Sequence, residues 1–494
     1  MTLSPDTAFL KGAPQPLVVV RPQPTADVFE LYRRVTKPGR PSLLLDSANA
    51  AGPVARYSFI CSEPYLTLTG RGAEYTIQSE GQQQRGIGSA VEVLQELLHD
   101  SAIARPPGLP PFYGGAAGYL SYDLIRSFES LPSLAVDDLR LPDLHMVLLD
   151  LVAAVDHRTG LLYLMYCPPL ARFLSEPREK LYREGCDRLA EFEARLTTPL
   201  PPLDRLPWSG GMSFEPGQTA EDYKARVRQC KEYIAAGDIY QANLSHRFML
   251  HRDGQGGRAD REIYAATLYH RLRQVNPSPF SGLAHLDHLS LVSCSPERLV
   301  QLTGSVANTR PIAGTRRRGA TLEEDRRLQA ELVVNAKERA EHVMLVDLER
   351  NDLGKVCRYG SVHVDEFMTV EPYSHVNHLV SSVTGVLAPH RSPLDLVKAL
   401  FPGGTITGVP KLRCMHIIEE LEPVRRGLYT GALGYFSWSG DLDLNILIRT
   451  LVLTGRQGYL QVGAGIVADS DPDREYEETL AKAGAFFHLL EGSR

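Results

Sequence analysis

The stretch TTPLPPLDRLPWSGGMSFEPGQ, residues 197–218, constrains the fold of this chain more than any other. Proline and glycine accumulate there and hydrophobic periodicity disappears, so it reads as a boundary or a surface crossing. It divides 494 residues, 43% of them apolar, into parts long enough to bury a large core; two domains or one unusually large one are expected. A shorter cluster, RPPGLPPF from Arg105 to Phe112, reads as a loop within the first part.

After the break, TAEDYKARVRQCKEYIAAGD carries helix-start chemistry: Thr219 as N-cap and Asp222 three residues on. Tyr223, Val227, Ile234 and Ala235 then share one face of an amphipathic helix. GDIYQANLSHRFML, LSLVSCSP and GYLQVGAGIV read as strands, and DRRLQAELVVNAKERAEHVMLVDLERN as one helical run, giving a mixed α and β chain. A weak repeat links GGAAGYLSYD, from Gly114, with TGALGYFSWSGD, from Thr430. It reflects either duplicated units or the recurrence of glycine and aromatics wherever strands pack closely.

Charge excludes some roles. Fifty-three basic against 59 acidic residues leave a net charge of -6, which offers no overall basic field for nucleic acid or an anionic membrane. The seven cysteines are scattered, odd in number and without a C-x-x-C pair, so reduced thiols are expected rather than a disulfide framework or a zinc site. The start lacks a basic and then apolar leader, and the most apolar run, HMVLLDLVAAVDH, is too short to span a bilayer and contains Asp150. A soluble, cytoplasmic protein is the expectation.

Several clusters carry chemistry. EYEETLAK places Glu475, Glu478 and Lys482 on one helical face, and AKERAEH places Glu338 and Glu341 at the same i, i+3 spacing. Two such carboxylate pairs suit a hard divalent cation such as Mg2+, or they are two solvated, salt-bridged helix faces. FPGGTITGVPK, containing Thr405, fails the phosphate-loop pattern because Pro410 precedes the lysine and leucine follows it; a carboxylate-binding turn or an ordinary tight turn remains. Gly463 and Gly465 in VGAGIVADS leave backbone amides accessible to an anion. Arg449 in LIRT is either a bidentate carboxylate ligand or a structural residue. Glu297 in SCSPERLV and His378 in HVNHLVSS are candidates for proton transfer, and each is equally readable as a satisfied polar residue.

Taken in order, DIYQANLS, SPERL, PIAGTRRRG, KERAEHVMLVDLERNDLG, HVNHLVSSV, FPGGTITGVPK, LEPVRRGLYTGALGYF, IRT, GAGIVADS and EYEETLAK closely resemble the chorismate-utilising enzymes, specifically component I of anthranilate synthase and of aminodeoxychorismate synthase. The resemblance is dense over residues 219–488 and extends weakly to the first half through LLLDSA, ARYSFI and GGAAGYLSYD. It implies an α+β fold of large packed sheets with flanking helices, with an N-terminal region (1–200) wrapped on a catalytic, chorismate-binding region (219–490). It also implies roles. Glu338, Glu341, Glu475 and Glu478 would form an Mg2+ site; Tyr429, Arg449, Gly463 and Gly465 would hold the enolpyruvyl carboxylate, with Thr315, Thr405 and Lys482 nearby. Glu297 would protonate the departing C4 hydroxyl and His378 would line the ring pocket. Gln241 stands where the water-adding relatives carry a lysine base, which favours ammonia as nucleophile. No G-x-C-x-G nucleophile motif is present, so ammonia is expected from a separate glutamine amidotransferase subunit.

Branch motifs conflict. Ala313, in PIAGT, occupies the position of a nucleophilic lysine in aminodeoxychorismate synthases and matches the alanine of anthranilate synthases. NPSPFSG and FPGGTITG resemble the aminodeoxychorismate branch, and Asp46 and Ser281 depart from the glutamate and methionine of the tryptophan-sensing pocket. On balance the motifs favour formation of 4-amino-4-deoxychorismate for folate synthesis, with anthranilate formation for tryptophan synthesis as the alternative and a non-catalytic metabolite-binding paralogue as a third reading.

Overall fold

The run HMVLLDLVAAVDH is two strands, Leu144–Leu149 and Leu151–Asp156, separated by Asp150. The buried Asp150 carboxylate is ion-paired with Arg188 at 2.6 Å, which offsets the cost of placing a charge at this bend. Its position matters because the two strands belong to different sheets. The structure, a computed structural model, describes residues 6–47, 54–200, 203, 213–251, 257–372, 376–455 and 457–491. Among these, strands form two twelve-stranded antiparallel sheets, with helices packed against both.

The first sheet runs Leu17–Pro22, Leu161–Tyr166, Leu151–Asp156, Tyr57–Ser62, Ser42–Asp46, Phe280–His285, Ser290–Ser295, Thr450–Thr454, Gln457–Ile466, Gln241–His251 and Phe214–Pro216, with the twelfth strand, Gly408–Val409, also paired to Gln241–His251. The second runs Ile312–Arg317, Val376–Val386, Val306–Thr309, Arg298–Thr303, Leu442–Ile446, Ala432–Ser437, Gly115–Leu120, Leu144–Leu149, Leu66–Arg71, Glu74–Ser79 and Gln82–Ile87, with the twelfth strand, His363–Pro372, also paired to Val376–Val386. Each therefore takes strands from both sides of residues 197–218. Leu44 pairs with Leu283 across that divide in the first sheet, and Gly118 with Gly434 in the second. Between the sheets, Phe59 lies edge-on to Tyr435 with ring centroids 5.2 Å apart.

The sequence repeat is thus a pair of neighbouring strands. A Cβ on Gly118 would sit 2.0 Å from the His145 carbonyl oxygen, and one on Gly434 2.0 Å from that of Asp443. Close backbone approach requires both glycines.

Local signals are largely realised. Thr219 and Asp222 form a reciprocal capping box at the start of the helix Ala220–Ala235. Its buried face is Tyr223, Val227 and Cys230; Ile234 is half-buried and Ala235 exposed, so the apolar stripe ends a turn earlier than expected. The helical run 325–351 is not one helix. It breaks at Asn335 into Leu322–Val334 and Ala336–Gly354, because the Asn335 side chain accepts from the Glu338 N–H at 3.0 Å and caps the second helix. Residues 204–212 of the proline-glycine break, and 48–53 after LLLDS, lie outside the described residues. No helix among the described residues is long and apolar enough to cross a membrane.

Candidate active site

The predicted residues fall into two groups joined by one segment. In the first, the Thr405 hydroxyl, in the 3-10 turn Gly404–Ile406, donates to Glu297 Oε1 at 2.8 Å. The backbone N–H of Ile312 also reaches the Glu297 carboxyl. Ile312 begins the strand Ile312–Arg317, which bulges between Ile312 and Thr315 against Val376–Val386. The bulge contains Ala313, which is buried, and Gly314, at φ +82°. Thr315 Oγ1 then lies 2.9 Å from His378 Nδ1. Arg449, itself at φ +50°, faces both Glu297 and His378.

Burial sets the proton occupancy here. It pushes the Glu297 carboxyl up to about 8, over the opposing hydrogen bond from Thr405, and the neighbouring Glu349 acts in the same direction. Glu297 is therefore mostly protonated at neutral pH. Burial, reinforced by the Arg449 charge, pulls His378 down to about 4, leaving a neutral imidazole. Arg449 makes no side-chain ion pair or hydrogen bond to another of the described residues, so its guanidinium is available to an anion.

The second group surrounds Gly463 and Gly465. A Cβ at Gly463 would lie 2.7 Å from both the Tyr429 hydroxyl and Asn243 Oδ1, and one at Gly465 2.7 Å from Gln241 Nε2. Glycine at these positions is what lets Tyr429 and Gln241 approach the strand. Lys482 Nζ donates to the Gly463 carbonyl at 2.8 Å and pairs with Glu478 at 2.8 Å. The Gln241 Oε1 and Asn243 Oδ1 oxygens are buried without a hydrogen-bond partner among the described residues. The segment 404–409 joins the groups: Thr405 holds Glu297, the Thr407 carbonyl accepts from the Asn243 N–H, and Gly408–Val409 pairs with Gln241–Ala242.

The four glutamates are not gathered into one cluster. Among the described residues no group of three or more His, Cys, Asp or Glu side chains is close enough to hold a metal ion. Glu338 is ion-paired with Arg316 at 2.5 Å and lies against Gly314, whose Cβ would sit 2.3 Å from Glu338 Oε2. That buried Oε2 has no partner. Glu341 follows on the same helix, while Glu475 and Glu478, on Pro472–Glu491, both face Tyr223. The donor chemistry suits a hard cation, with Arg316 and Lys482 occupying two of the carboxylates.

Two participants escaped the sequence reading, Glu349 and Asn243. Glu349 lies 11 residues after Glu338, about three helical turns at 3.6 residues per turn, so the spacing that singled out Glu338 and Glu341 also reaches it. Asn243 carried no signal beyond its place in the strand.

Two large antiparallel sheets thus carry a buried acid, an arginine facing it and a glycine-lined strand. Residues 41–488 match the chorismate binding enzyme family, to which this chain belongs. It is 44% identical to an anthranilate synthase component I-like protein of Synechocystis sp., over 91% of this chain and 86% of that one. It is 41% identical to aminodeoxychorismate synthase component 1 of Bacillus subtilis, over 94% of each. The crystal structure of anthranilate synthase component I from Streptococcus pneumoniae superposes with a TM-score of 0.73 at 32% identity, covering 88% of this chain and 92% of that one. The fold class expected from sequence is therefore observed, and the chain is a chorismate-utilising enzyme.

Proposed function

We propose that this enzyme aminates chorismate with ammonia, giving 4-amino-4-deoxychorismate, and that a separate glutamine amidotransferase subunit supplies the ammonia. The observation that carries the reading is the buried Glu297, held by the Thr405 hydroxyl and faced by Arg449. Loss of the C4 hydroxyl requires a proton on the departing oxygen, which then leaves as water, and Glu297 holds that proton at neutral pH. Gln241 is a neutral amide that cannot deprotonate water, whereas neutral ammonia is nucleophilic without first losing a proton. Arg449, Tyr429 and the backbone at Gly463 and Gly465 bind the enolpyruvyl carboxylate, and neutral His378, fixed by Thr315, lines the ring pocket without adding charge. Glu338, Glu341, Glu475 and Glu478 would hold Mg2+, which when bound neutralises a substrate carboxylate. The unpartnered Glu338 Oε2 supports that assignment. Lys482 keeps Glu478 and the Gly463 carbonyl in place.

A second reading, direct formation of anthranilate, is favoured by Ala313: its methyl group provides no nucleophile for attack at C2. The test is the mass of the product formed from chorismate, ammonium and Mg2+ by the purified chain and by Ala313→Lys. Aminodeoxychorismate, convertible to 4-aminobenzoate by added lyase, is the expected product. Anthranilate formed directly, and lost in Ala313→Lys by blocked ammonia access, establishes the alternative. Glutamine should replace ammonium only when an amidotransferase subunit is added.

A further inference from the structure

Glu349 and Glu297 are held by the same two segments. The link from Val306–Thr309 into Ile312–Arg317 gives Glu349 the Thr309 hydroxyl, at 3.1 Å to Oε2, and gives Glu297 the Ile312 N–H. The turn at Gly404–Ile406 gives Glu349 the Gly404 N–H and Glu297 the Thr405 hydroxyl. Both glutamates are buried, at 5% and 7% exposure. Two clamps, each with one neutral donor for either acid, therefore fix two carboxyl groups beside one another.

We propose that Glu349 is a positioning residue for Glu297, a second acid built in behind the proton donor to keep it protonated. The inference rests on the reading of Glu297 as donor. The surrounding charges agree with it. Glu297 faces Arg449 as well as Glu349; Arg449 alone would favour ionisation of Glu297. Glu349 faces Asp352, one turn on, and Lys411 from the helix Lys411–Leu421. Asp352 is already bound by Lys355 at 2.7 Å and Lys411 at 2.5 Å, so those cations are engaged with it rather than with Glu349. Burial, with Asp352 adding to it, pushes Glu349 up to about 7. Above that pH its negative charge opposes loss of the Glu297 proton.

The test compares rates of the full chain with chorismate, Mg2+ and ammonium between pH 6 and 9, as the ratio of variant to wild type, in which the supply of free ammonia cancels. In Glu349→Gln the donor should titrate about one unit lower, so the ratio should fall roughly tenfold as pH rises across that range. Glu349→Asp, which retains the charge, should give a ratio that does not vary with pH. A purely structural role lowers the rate equally at every pH, and a flat ratio for Glu349→Gln overturns the proposal. Glu349→Met, neutral and of similar length, repeats the test if the amide does not fold. Glu297→Gln run alongside separates the two failures: full activity in that variant refutes the donor assignment, whereas its inactivity with a flat Glu349→Gln ratio refutes only the role of Glu349.

Discussion

At the scale of single residues, Glu297 links chemistry and stability. Its carboxyl titrates near 8 in the fold against 4.5 for an ordinary glutamate, so the folded state binds an extra proton between those values. Stability from this group is fully present below about 4.5 and is lost as pH rises to about 8. Glu297→Gln removes that dependence. The melting temperature of the variant relative to wild type should rise with pH through this window and level off on either side, while turnover falls at least ~100-fold. A temperature difference independent of pH would show that Glu297 is ionised in the fold. Asp46 argues a second residue-scale prediction. Its carboxylate accepts from Tyr269 at 2.8 Å and Ser58 at 3.1 Å and pairs with Arg273 at 3.2 Å, at the edge of a cavity of about 630 Å³ that Ser281 also lines. A carboxylate so engaged, and one methylene shorter than glutamate, is poorly placed to take an amino acid ammonium group; one misplaced charge-assisted hydrogen bond is worth ~1.5–3 kcal/mol. Millimolar tryptophan should leave the initial rate unchanged, and strong inhibition would favour the anthranilate reading.

Among elements, the break at Asn335 does more than end a helix. It sets the start of Ala336–Gly354, which carries Glu338, Glu341 and Glu349 in succession down one side toward the site. Asn335→Ala removes the cap on the Glu338 N–H and should cost about 1 kcal/mol in denaturant unfolding. Because the first turn also carries Glu338, the Mg2+ concentration for half-maximal activity should rise in the same variant. A stability loss with unchanged Mg2+ dependence would separate the helix start from the metal assignment. The cap was legible in the sequence as an asparagine three residues before a glutamate, but it sat within a continuous helical pattern. Propensity alone cannot choose between a mid-helix asparagine and a cap, since the choice depends on whether the preceding helix can pack in line. The bulge at Ala313 and Gly314 is similar: PIAGT announces a turn-prone glycine, while the approach of Glu338 to it comes from another element.

For the molecule as a whole, both sheets run through both halves of the chain, so neither half closes its own hydrogen-bonding edges. Residues 1–200 and 213–494 produced separately should each lack a cooperative thermal transition, and co-expression should restore one. Two independent transitions in the intact chain would contradict this. What the sequence determined by itself is local or ordered along the chain: the capping box at Thr219, the glycines that tolerate close approach, and the family motifs with the candidate residues they name. These are legible because the responsible groups are neighbours in sequence. The tertiary structure decided the rest. It set Gly118 opposite Gly434, sent the strands on either side of Asp150 into different sheets, and placed Glu349 beside Glu297. Above all it decided the protonation of Glu297, because desolvation is the work of every element that buries a group, and no spacing along the chain records which elements those are.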